Sequence, residues 1–170
     1  MKNIKTVSYL SMLLAIAIIL NVIEMQINII PVPGAKIGFA NIAILIVLYL
    51  YGFKEASLIT VLRVLIVGLL YRSFTITFWM GLSGAIVSII IMGILKKWFK
   101  LHPITVSVVG AIFHTLGQVI AGIYLMETEL LILYLPIMLL ISVPAGVLIG
   151  IIANRFLLNF RQIAKSNTFN

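Results

Sequence analysis

Leu130-Leu-Ile-Leu-Tyr-Leu-Pro136-Ile-Met-Leu-Leu-Ile-Ser142-Val-Pro144-Ala-Gly146-Val-Leu-Ile-Gly150-Ile-Ile-Ala153 contains no charged side chain. Roughly 20 mainly apolar residues in a row cross the hydrocarbon core of a bilayer as a helix. Working outward from this stretch, the same test marks further apolar runs at 7–25, 38–51, 56–71, 77–95 and 103–125. With 130–153 they predict an all-α membrane protein, a bundle of six transmembrane helices forming a single integral membrane domain over 1–170. The runs at 38–51 and 56–71 sit near the lower length limit. Composition agrees: 63% of the 170 residues are hydrophobic and 9% are charged. A soluble domain carries about a quarter charged residues, so lipid must solvate much of this chain. The first run follows Lys2 and Lys5 and contains Ala15-Ile-Ala17, a cleavage-like triplet. The run continues to Ile23 with no polar region before the triplet, so it reads as a membrane helix rather than a leader.

Charge sets the expected topology. Lys2, Lys5, Lys54, Lys96, Lys97, Lys100, Arg155, Arg161 and Lys165 fall on one side of a six-span layout, and Lys36 and Arg72 on the other. Basic residues favour the cytoplasmic side, which predicts both termini inside a bacterial cell membrane. Three of the four acids, Glu24, Glu55, Glu127 and Glu129, fall on or near the outer side. The formal charge of +8 is thus read as topology, not as a nucleic-acid surface. Cysteine is absent, which excludes disulfides and thiolate sites, and two histidines with four acids leave little for a metal. No P-loop, no aspartate-rich diphosphate motif and no hydrolase constellation is present, so no catalytic residue, metal or cofactor is expected.

Polar residues inside the runs stand out. Arg63 lies mid-way through 56–71. A charge at a helix centre costs about 2.5–3.5 kcal/mol on insertion scales, so it should face the bundle interior as a substrate contact, or be held structurally by carbonyls and side chains. His114 and Gln118 are four apart and share a face with Gly110 and Gly122. That stripe reads either as a pocket wall with room left by the glycines, or as helix–helix glue. No intramembrane acid accompanies His114 in this reading, which argues against a free-standing proton-coupled transporter. Asn21, Glu24 and Asn41 would line the mouth of a cavity, or be ordinary interfacial polarity. Small residues at packing spacing recur as Ser11 with Ala15, Gly81 with Gly84 and Ser88, and Gly146 with Gly150. Pro136 and Pro144 are expected to kink the last helix. The basic stretch Lys96-Lys97-Trp98-Phe99-Lys100 reads as a turn, and the chain after Ala153 as a polar tail.

The stretch Ile30-Pro31-Val-Pro33-Gly34-Ala-Lys36-Ile-Gly38-Phe-Ala-Asn41, then Leu48-Tyr-Leu-Tyr51-Gly52-Phe-Lys54-Glu55-Ala56, with Arg63, His114 and Gln118, resembles the bacterial Gx transporter family. That family is also labelled heptaprenyl diphosphate synthase component I. The layout is similar to the substrate-binding S components of energy-coupling factor (ECF) transporters. This resemblance implies a gating loop at 26–37 and a docking face at Ser11 and Ala15 for a transmembrane coupling subunit, with Ser11 standing where an alanine is usual. It implies a vitamin-uptake role: capture of a vitamin, flavin or isoprenoid-derived small molecule by Arg63, His114, Gln118 and Asn41. ATPase partners would power transport, because the chain carries no energy source. The other label implies a non-transporting accessory of an isoprenoid, quinone or electron-transfer system.

Overall fold

The computed structural model describes residues 4–26, 38–72 and 74–166. The described residues are helical without strands. There are six α-helices: α1 (Ile4–Gln26), α2 (Asn41–Leu50), α3 (Phe53–Val67), α4 (Ile76–Trp98), α5 (Pro103–Met126) and α6 (Leu135–Ser166). A π-helical stretch, Gly68–Arg72, prolongs α3, and a 3-10 turn, Glu129–Tyr134, leads into α6. Four spans are long and apolar enough to cross a membrane: α1, α4, α5 and the continuous segment Glu129–Phe160.

Local chemistry accounts for the boundaries. Gly52, at φ +108°, starts α3 with a backbone that side-chain-bearing residues rarely adopt. Pro103 opens α5 at a position where its missing N–H costs nothing, and the His102 ring accepts from the Ile104 N–H at 3.4 Å. Glu127, in the left-handed region at φ 49°, ends α5. The Thr128 hydroxyl then accepts from the Leu130 N–H at 3.4 Å and starts the 3-10 turn.

Several expectations are corrected. The basic stretch is not wholly a turn: α4 runs through Lys96 and Lys97 to Trp98, where lysines at a helix C-terminus complement its dipole. The chain after Ala153 is not simply a tail, because α6 continues to Ser166. At 32 residues, α6 is about 48 Å long against a hydrocarbon thickness of about 30 Å, so it outruns the core. Pro136 sits in the first turn of α6, where proline is tolerated; Pro144 alone lies within the helix.

The bundle has two halves. At the end carrying Lys54 and Lys96, Ile44, Leu45, Leu48, Ile59, Ile89, Met92, Val106 and Leu157 form one apolar core. The short helix α2 is its axis, with every residue from Ala43 to Leu48 buried. Lys96 donates to the Leu48 carbonyl, capping α2, and its ammonium sits 5.4 Å from the centre of the Tyr49 ring. The Tyr49 hydroxyl donates to the Leu101 carbonyl at 2.6 Å, tying α2 to the α4–α5 connection. Packing is most extensive between α4 and α5 and between α5 and α6. Helix α1 is peripheral, burying only Leu13 and Ala17. Leu69, Ile120, Leu133 and Leu140 are each more than 60% exposed on the outside, which suits lipid and not water.

Candidate functional site

Ten residues give α2 a length of about 15 Å. It therefore fills only one half of the bundle axis. Beyond its first turn lies a cavity of about 60 Å³. The walls come from α1 (Asn21, Glu24), the start of α2 (Gly38, Asn41), α3 (Arg63, Val67), α4 (Phe78, Gly81), α5 (His114, Thr115, Gln118) and α6 (Met138, Ser142).

All four residues expected to contact a ligand, Arg63, His114, Gln118 and Asn41, line this single cavity. Arg63 is 4% exposed. Its Nη1 donates to Asn41 Oδ1 at 3.4 Å, which joins α3 to the first turn of α2. Its Nε–H is buried with no acceptor among the described residues. Asn21 Oδ1 is likewise buried without a donor. A buried donor left unmade costs about 1–3 kcal/mol, so such atoms in a polar cavity mark where an incoming group gains most. Gln118 is buried on the same α5 face.

Glu24 is the residue that the sequence reading undervalued. Its carboxylate accepts from the Gly38 N–H and attracts Arg63 electrostatically. An acid does therefore share the cavity with His114, contrary to the expectation that none accompanies it. The signal was present: Asn21 and Glu24 are three apart and so share a helix face. Ser142, the lone serine in its apolar run, was also missed; its Oγ donates to the Leu139 carbonyl at 3.2 Å.

The glycine stripe does not leave room for a ligand. A Cβ on Gly110 would lie 2.6 Å from Met92 Sδ, and one on Gly122 would lie 2.7 Å from Met80 Cε. These glycines admit α4, while His114 and Gln118 turn to the cavity. A Cβ on Gly84 would lie 2.6 Å from the His114 carbonyl oxygen, so α4 itself is pressed against α5 at the cavity wall. Ser88 Oγ donates to the Gly110 carbonyl at 2.8 Å and Ser83 Oγ to the Gly117 carbonyl at 3.1 Å, adding polar glue. Gly146 and Gly150 likewise admit α5 against α6. Ser11 and Ala15 differ from these: both are exposed on the outer face of α1. The expected gate, 26–37, lies outside the described residues apart from Gln26. Among the described residues no three His, Cys, Asp or Glu side chains cluster as a metal site.

Residues 13–156 match the family described as heptaprenyl diphosphate synthase component I. The chain belongs to that family. No curated protein and no solved structure matches it. For a heptaprenyl diphosphate synthase component I, the arrangement described here is that of an all-helical membrane subunit with a polar cavity among its helices.

Proposed function

We propose that this chain is a ligand-binding membrane subunit, the capture component of an ECF-type importer for a vitamin, flavin or related cofactor. The observation that carries the reading is the convergence of Arg63, Asn41, His114 and Gln118, from three helices, on one cavity. A charge so deep in a bundle is expensive and is normally retained for a ligand or ion pathway. At about 60 Å³ the cavity accommodates a polar head group or a few waters, by the measure of about 10–15 Å³ each. The rest of a vitamin-sized molecule would extend beyond it. The exposed Ser11 and Ala15 supply a small-residue face on which a transmembrane coupling subunit can seat, and ATPases would supply the energy. In this arrangement α2 and α3 complete six spans, with both termini on the cytoplasmic side.

A second reading is favoured by the family description. As a membrane component of a heptaprenyl diphosphate synthase, the chain would hold the polar head of a lipid-like molecule in the same cavity and dock a catalytic partner.

Mass spectrometry of small molecules released after purification in mild detergent tests both. A stoichiometric vitamin or flavin supports capture for import, and a quinone or prenyl lipid supports the second reading. The Arg63→Ala variant should lose the molecule while staying folded. Normal occupancy in a well-folded Arg63→Ala protein would remove this cavity as the binding site.

A further inference from the structure

We propose that Glu24 is a built-in competitor for the ligand, and that the ligand carries a phosphate or carboxylate group which takes the place of the Glu24 carboxylate. The proposal deepens the binding reading above and rests on it.

The groups facing Glu24 are donors. The Arg63 guanidinium offers N–H groups and cannot accept. Its Nε–H is buried and has no acceptor among the described residues. The Gly38 N–H points at the carboxylate, and behind it lies the first turn of α2. A helix start carries partial positive charge and is a ready anion site. Here it is reinforced by a guanidinium at the same cavity.

Among the described residues lining the cavity Glu24 is the single acid. It already does part of what an anionic ligand would do: it accepts from Gly38 and attracts Arg63 electrostatically. Glu24 belongs to the described span of α1, Ile4–Gln26. A ligand anion would take over the Gly38 N–H from this carboxylate. A neutral ligand would leave Arg63 unmatched if it displaced Glu24, and a cationic one would be repelled by Arg63.

Gly38 makes the exchange local. Its N–H donates to Glu24 of α1 from a backbone at φ +86°, and a Cβ there would stand 3.1 Å from Asn41 Nδ2. Release of Glu24 from this N–H unties the end of α1 from the start of α2, so binding and loosening of that junction become one event.

The test is isothermal titration of the full chain in mild detergent with two probes, inorganic pyrophosphate and succinate. Glu24→Gln should bind one probe about tenfold or more tighter than the unaltered chain, within the usual range for coupling between sites. Glu24→Asp, which keeps the charge but shortens the reach to Gly38, should move the same way and covers a folding failure of the first variant. Adding Arg63→Ala to Glu24→Gln should abolish the gain. The probe that gains distinguishes phosphate from carboxylate recognition. Unchanged or weaker binding in both Glu24 variants, or no binding of either probe, overturns the competitor. If a co-purified molecule is nevertheless lost from Arg63→Ala, the cavity remains a binding site and only the competitor falls. If that molecule survives Arg63→Ala, the binding reading itself falls.

Discussion

The two halves of the bundle share the same helices and differ in what fills the axis. At the end carrying Lys54 and Lys96, α2 occupies the axis and is buried on every side. At the other end α2 is missing, and Asn21, Glu24, Arg63, His114, Gln118 and Ser142 face one another across the cavity. The difference teaches that the polar site arises from a helix that stops short. Inside a bilayer, irregular backbone and unpaired donors survive only where protein or a wet cavity surrounds them. The start of α2 and Gly38 meet that condition, and Arg63 meets it by lying beside them.

The contrast can be broken most strongly through helix approach. Gly150→Leu should prevent the folded bundle from forming, because a Cβ at Gly150 already falls 2.6 Å from Ile104 Cα. Overpacking costs about 1–3 kcal/mol where neighbours can shift, and a backbone neighbour cannot; detergent-solubilised yield and thermal unfolding would show it. Next in size is Leu45→Ala on the α2 axis, where Leu45 is 1% exposed. A loss of about 2 kcal/mol or more is expected from the void left behind, read as a lower unfolding temperature with ligand binding retained.

Gln118→Leu sharpens the comparison in the opposite sense. Stability should change by less than about 1 kcal/mol, the usual scale for polar contacts between membrane helices. Occupancy by the co-purified molecule should fall instead. A stability loss as large as that of Leu45→Ala would mean that the cavity half is held by its polar groups. Smallest of all, Lys96→Met should cost about 0.3–1 kcal/mol by uncapping α2. That loss should appear in thermal unfolding alone, since Lys96 touches Leu48 and Tyr49 and not the cavity.

Much of the site was legible one residue at a time. Arg63 was conspicuous because no apolar helix carries a guanidinium without cause, and His114 and Gln118 because four-residue spacing places them on one face. Spacing does not say which neighbour that face meets. Gly110 and Gly122 were therefore credited with making room, whereas Met92 and Met80 of α4 fill it. Glu24 was discounted because a residue near a helix end has an ordinary interfacial explanation. Its hydrogen bond with Gly38 and its attraction to Arg63 cross 14 and 39 positions of sequence respectively, and no local pattern encodes them.

By itself, the sequence determined that the chain is helical and lives in lipid, because uncharged runs near 20 residues cannot be hydrated and cannot leave backbone groups unpaired. It determined the cast of polar residues that must turn inward. Tertiary structure alone decided that a ten-residue helix would be the buried axis rather than a peripheral span, and that the space beyond it would collect Arg63, Asn41, His114, Gln118 and Glu24. The physical reason is that hydropathy reports the solvent a segment tolerates. Which neighbours it packs against is set by the shapes of helices distant in sequence.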